Sequence, residues 1–205
     1  MIQYKQFPLG SLGTNCYVVY DEAKHCVIVD GDGSGQPVMD FIRQEGLTVG
    51  MILLTHAHFD HMGALSAFKQ SYGCPVGIGA KDAPLLEQPS LNLSAMMGAP
   101  LSFQADRLFE DGDAFTIGQM HFTVLHTPGH TQGSVCYLVD HLLISGDTLF
   151  AGSCGRVDFP TGNAADMMAS LRRLAGLDGD YTVLPGHEGV TTLSRERRLN
   201  PYLND

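Results

Sequence analysis

The segment Thr55-His56-Ala57-His58-Phe59-Asp60-His61 places three imidazoles and one carboxylate within six residues. Neutral imidazole and ionised carboxylate are ligands for zinc, iron and manganese. With no cysteine among them, they do not suggest a purely structural zinc site. Neither a straight helix nor a straight strand can aim all four side chains at one point. The spacing therefore predicts a loop, following the apolar run 49–55 and preceding a helix. Three later turns offer one further donor each: His130 in Thr127-Pro128-Gly129-His130-Thr131, Asp147 in Ser145-Gly146-Asp147-Thr148, and His187 in Leu184-Pro185-Gly186-His187. Alone, each is an ordinary polar turn. Together the seven donors match two ions that share a bridging carboxylate and a bridging water, an arrangement suited to hydrolysis.

These donors need strand ends to hold them, and the hydropathy pattern supplies them. The β-branched and aromatic stretches TNCYVVYD and HCVIVDGDG read as two strands joined by a turn at 21–24, with a Gly-rich stop after Asp30. Helical spacing of apolar residues predicts helices over 36–45, 62–72, 81–87, 164–174 and 194–199. Short apolar runs predict strands at 49–55, 74–78 and 180–184, with hairpins over 114–125 and 134–145. Residues 88–104 carry the weakest pattern. Two β-rich halves, each with its own helices, imply an α/β fold: two sheets face to face with helices outside, as one domain over 1–205.

Composition narrows the partners. The chain has 205 residues, 44% of them hydrophobic and 17% charged, as in a globular domain with a buried core. A net charge of −10 argues against a broad electrostatic hold on nucleic acid. No apolar run reaches the ~20 residues that span a bilayer, and the N-terminus lacks a secretory pattern. The five cysteines include no C-x-x-C pair, which fits reduced thiols in the cytoplasm. Oligomeric state is not encoded in any readable pattern.

The H-x-H-x-D-H segment, the two Pro-Gly-His turns and the Ser-Gly-Asp strand end, in this order, resemble the metallo-β-lactamase superfamily. The stretch SGDTLFAGSCGRVDFPTG resembles its hydroxyacylglutathione hydrolase (glyoxalase II) branch and small bacterial relatives. The resemblance implies a four-layer αββα sandwich with metals at one edge between the sheets. It assigns His56, His58 and His130 to a first ion, Asp60, His61 and His187 to a second, and Asp147 to the bridge. It also implies two divalent ions, with zinc first and iron or manganese as alternatives. Asp60 and Asp147 become the catalytic carboxylates, Asp60 by orienting the water. The expected substrate is a small thioester, S-lactoylglutathione or a related hydroxyacyl thioester. Full-length glyoxalase II grips glutathione with a C-terminal helical segment; here that segment is expected to be missing or reduced to 194–203. The alternatives are a mononuclear iron persulfide dioxygenase-like site on His56, His130 and Asp147, a lactonase or other ester hydrolase, and a non-enzymatic metal-binding module.

Outside the donor set, Asp30 is expected to support a ligand histidine through a hydrogen bond, and Asp32 less so. Arg156 shares a loop with Asp158, where it either orders the loop by an ion pair, the favoured role, or meets an anionic substrate. His25, His121 and His141 are assigned to surface or turns, and His126 to packing or a backbone hydrogen bond. Cys154 is expected to be incidental. Arg195, Arg197 and Arg198 read as a solvated helix face.

Overall fold

The computed structural model describes residues 1–203. Two six-stranded sheets lie face to face. The first runs β1 (Gln3–Leu9), β2 (Thr14–Tyr20), β3 (His25–Val29), β4 (Thr48–Leu53), β5 (Val76–Gly79) and β6 (Arg107–Phe109) in order across the sheet. Its helices are α1 (Gln36–Glu45), α2 (Phe59–Met62), α3 (Leu65–Tyr72) and α4 (Ala83–Glu87). The second sheet contains β7 (Ala114–Ile117), β8 (Met120–His126), β9 (Val135–Val139), β10 (Leu142–Gly146), β13 (Thr182–Pro185) and β14 (Thr191–Thr192). A small hairpin of β11 (Leu149–Phe150) and β12 (Ser153–Cys154) follows β10. Helices α5 (Ala164–Ala175) and α6 (Leu193–Leu199) cover the second sheet.

Alternation along single strands builds the layers. In β2, Tyr17 and Val19 face the second sheet, whereas Cys16 and Val18 face the helices. Three apolar clusters result. Val18, Ile28 and Ile52 pack with Val38, Ile42 and Phe68 of α1 and α3. Tyr17, Val27 and Leu53 meet Phe122, Tyr137 and Ile144 between the sheets. Cys136, Leu143 and Val183 meet Leu171, Leu174 and Leu193 under α5 and α6. The result is an αββα sandwich, as the resemblance implied.

Several local expectations need correction. The helix predicted over 62–72 is broken at Gly63-Ala64, and a separate short helix, α2, precedes it. Asp60 and His61 therefore lie on a helical turn rather than in a loop. Strand β1 carries a proline and sits at a sheet edge, where a mixed exposure pattern hides the strand signal. Strands β6, β11, β12 and β14 are only two or three residues long, too short for a period to register. Arg197 is not a solvated residue: it donates to the carbonyls of Ala175, Leu177 and Gly179 and ties the end of α5 to α6. No described helix is long and apolar enough to cross a membrane.

Candidate metal centre

All seven donors follow the C-terminal ends of strands that, within each sheet, run in one direction. Strands β3 and β4 are parallel, as are β10 and β13, and β8 shares the direction of β10 through antiparallel β9. His56 and His58 follow β4, with Asp60 and His61 on α2; His130 follows β8, Asp147 follows β10 and His187 follows β13. A register shift between Ile144 and Gly146 bends the end of β10 just before Asp147. The two sheets are tied at this rim. The Tyr17 hydroxyl and the Asn15 side chain both donate to the Pro185 carbonyl, at 2.7 and 2.9 Å. Tyr137 donates to the Leu54 carbonyl at 2.8 Å. Ser170 of α5 donates to the Pro128 carbonyl at 2.7 Å, which fixes the turn carrying His130.

The side chains converge. Three groups, His56/His58/His130, His56/His61/Asp147 and Asp60/His61/His187, each bring one donor atom per residue within 4.8 Å of the others. Asp147 lies between the two outer groups. Its Oδ1 is 3.4 Å from His61 Nε2, and its Oδ2 is 3.4 Å from His130 Nε2 and 3.6 Å from His187 Nε2. Asp60 Oδ2 is 3.3 Å from His187 Nε2 and 3.6 Å from His61 Nε2. His58 Nδ1 is 2.9 Å from His130 Nε2.

Hydrogen bonds from outside fix which nitrogen of the His56, His61 and His130 rings faces inward. His61 Nδ1 donates to Asp30 Oδ2 at 2.9 Å. The same carboxylate oxygen accepts the Thr55 hydroxyl at 2.8 Å, and that hydroxyl accepts His56 Nδ1 at 3.1 Å. Asp30 thus orients two rings, one directly and one through Thr55. Asp32 makes no such contact; its carboxylate accepts the backbone N–H of Gly33. His130 Nδ1 donates to the Arg156 carbonyl at 2.7 Å. The Arg156 guanidinium pairs with both carboxylate oxygens of Asp158 at 2.6 Å, so this loop is ordered around His130. Thr14 donates to Asp60 Oδ2 at 2.7 Å.

Whether these residues fit a cation can be tested on their polar atoms. His56 Nε2, His58 Nε2, His61 Nε2 and Asp147 Oδ1 are buried and have no hydrogen-bond partner. Each buried unpaired polar atom costs about 1–3 kcal/mol, so native interiors rarely keep several together. Cations bound among the seven donors would offset that cost, and the donor set of imidazoles and carboxylates suits divalent metals. The protonation states agree. Burial, reinforced by the neighbouring imidazoles, holds His58 down at about 3 and His56 well below the usual histidine value, so both rings are neutral. Burial opposes ionisation of Asp60 and Asp147, but the facing histidines outweigh it and keep both carboxyls low and ionised. Burial also opposes a charge on His61, yet Asp60, Asp147 and Asp30 outweigh it and push the ring well above the ordinary value. A cation entering this site displaces that proton.

Close packing leaves little slack. A Cβ on Gly186 would sit 2.1 Å from Asp147 Oδ1 and 2.8 Å from His61 Cε1. One on Gly155 would sit 1.9 Å from the Asp147 carbonyl oxygen. A family model described as the metallo-beta-lactamase superfamily matches residues 9–187, an interval that contains every one of these donors.

The chain belongs to the metallo-β-lactamase superfamily. It is 35% identical to hydroxyacylglutathione hydrolase GloC of Haemophilus influenzae over 96% of both chains. Among solved structures, BLEG-1 B3 metallo-beta-lactamase superposes with a TM-score of 0.94 at 39% identity, covering 99% of this chain and 100% of that one. TTHA1623 in a di-iron-bound form gives a TM-score of 0.86 at 35% identity, covering 97% and 100%.

One part of this superfamily site escaped the sequence reading. Asp82, fully buried, accepts the Ala57 N–H at 3.0 Å, the Gly133 N–H at 2.8 Å and the Thr131 hydroxyl at 2.8 Å. It clamps the His56–His58 segment to the turn after His130. Nothing in its spacing distinguishes it from a surface aspartate at a helix start. Thr14, Asn15, Tyr17 and Tyr137 were likewise read only as strand residues. Their roles depend on partners more than 40 residues away in sequence.

Proposed function

We propose that this protein is a two-metal thioester hydrolase of the glyoxalase II type, acting on hydroxyacyl thioesters with S-lactoylglutathione as the reference substrate. The observation that carries this reading is the placement of the buried Asp147 carboxylate, which lies 3.4 Å from His130 of one donor group and 3.4 and 3.6 Å from His61 and His187 of the other. The resemblance to GloC supports the choice of thioesters. His56, His58 and His130 would hold one ion, Asp60, His61 and His187 the other, with Asp147 shared. Zinc is the proposed ion; iron and manganese suit the same donors, and the di-iron relative shows that a similar fold holds iron. When bound, such a pair supplies Lewis acidity and a hydroxide nucleophile at neutral pH.

The chain's own residues do the rest. Asp30 and the Arg156 carbonyl hold the His61 and His130 rings in one tautomer and orientation. Thr14 donates to the Asp60 carboxylate, which the facing His61 and His187 keep ionised and able to accept a hydrogen bond from the attacking water. The cleft above the donors lets a carbonyl approach between Phe59, Phe150 and Phe159. A thiolate leaves without strong acid assistance, and among the described residues lining the cleft no carboxyl or imidazole outside the donor set is buried as a proton donor. Five free cysteines support a reducing compartment such as the cytoplasm.

The test pairs elemental analysis of the purified protein with hydrolysis of S-lactoylglutathione and oxygen uptake. The reading predicts two ions, thioester cleavage and no oxygen consumption. One tightly bound iron with oxygen uptake and no thioester cleavage would reassign the site to persulfide dioxygenase-like chemistry.

A further inference from the structure

The walls of the cleft specify the substrate more narrowly than the metal donors do. The cleft, about 380 Å³, is walled by Leu12, Phe59, Leu93, Phe150 and Phe159. Beyond the donor residues, its charged side chains among the described residues are Arg156 and Glu188. Arg156 is already engaged: its guanidinium makes two 2.6 Å hydrogen bonds to Asp158 and lies 4.0 Å over the Phe159 ring. Glu188 repels anions. A carboxylate carried into this cleft therefore meets apolar rings, one acid and a cation whose charge Asp158 already balances.

One wall residue is held there against its own backbone preference. Leu93 has a φ of 69°, a left-handed conformation that costs energy for a branched side chain. Asn92 enforces it. Its Oδ1 accepts the backbone N–H and the hydroxyl of Ser94, and its Nδ2 donates to the carbonyls of Leu85 and Leu101. The Asn92 carbonyl accepts the N–H of Phe59, the next wall residue. A buried network thus presents two apolar side chains to the mouth of the site.

We infer that, within the thioester hydrolase reading on which this rests, the preferred substrate has an uncharged, largely apolar thiol half, and that glutathione, with its two carboxylates, is the poorer thiol. Leu12, Phe59 and Leu93 are the specificity-determining residues. The measurement compares kcat/KM for two thioesters with the same acyl group, S-lactoylglutathione and S-lactoyl-N-acetylcysteamine, on metal-loaded protein. The neutral thioester is expected to be at least tenfold better. Leu12, half-exposed in the turn between β1 and β2, allows a converse test without disturbing the core. Leu12→Arg is expected to lower KM for the glutathione thioester at least threefold and to raise KM for the neutral thioester, which loses part of its apolar wall. The gain on the glutathione thioester should fade at high salt. Equal or better turnover of the glutathione thioester by the unmodified protein overturns the inference and leaves the hydrolase reading standing. An unmoved ratio in Leu12→Arg also overturns it. Cleavage of neither thioester overturns the hydrolase reading and the inference together.

Discussion

Gly186→Ala isolates the demand for close approach at the metal centre. The added Cβ would lie 2.1 Å from Asp147 Oδ1, 2.8 Å from His61 Cε1 and 3.1 Å from the Gly146 carbonyl carbon. Ordinary contact needs roughly 3.4–4 Å, so Asp147, Gly186 or both must move by more than 1 Å. Metal–oxygen bonds tolerate departures of only about 0.2 Å. A misplacement of about 1 Å near the chemistry can reduce turnover about 100-fold, and loss of the shared carboxylate removes an ion as well. The backbone at Gly186 is not left-handed, so the effect is steric. Gly189, three residues on, provides the control: a Cβ there meets nothing within 4 Å. Elemental analysis and thioester turnover should show Gly186→Ala with fewer than two ions and at least 100-fold less activity, and Gly189→Ala close to the unmodified protein. A Gly186→Ala protein that keeps two ions and activity within threefold would refute the packing argument.

Three further outcomes follow from the same contacts. Asp30→Asn leaves the fold intact but weakens the acceptor for His61 and Thr55; metal affinity by competition with a chelator should fall about 10–100-fold. Burial pushes Asp82 up to about 6 against three donated hydrogen bonds. Its folded value therefore exceeds its unfolded one, and its contribution to stability is full below about pH 4 and lost as pH rises through about 6. Urea unfolding of metal-free protein should show a loss of roughly 3 kcal/mol across that window, absent in Asp82→Asn; matching pH profiles for the two proteins would contradict the assignment. Chelation should leave the four orphaned atoms at the centre unpaired and lower the thermal midpoint by about 10 °C, given about 4 kcal/mol of binding linkage at a thousandfold excess over Kd. An unchanged midpoint would mean that the centre holds no ion in the purified protein.

The layers and the donors were legible because their signals are local. The β-branched and aromatic run TNCYVVY marks β2 as a strand before any partner is known, and six residues are enough to display H-x-H-x-D-H. Turn chemistry placed His130 and His187 just past strand ends. What stayed hidden depends on distant neighbours. Thr14 and Asn15 read as strand residues until the rim brings Asp60 and Pro185 beside them. Asp82 gains its role from donors 25, 49 and 51 residues away. Arg197 looked solvated because its three acceptors are backbone carbonyls, which no side-chain pattern announces. The break between α2 and α3 at Gly63-Ala64 was masked by continuous helical spacing on both sides.

The central claim is that seven side chains form one centre in which Asp147 joins two ions. The most direct measurement is the number of ions retained per chain after exhaustive dialysis, in the unmodified protein and in Asp147→Ala, read beside activity. Two ions in the first, with fewer than two and no turnover in the second, is the predicted result. Two ions and undiminished turnover in Asp147→Ala would contradict it.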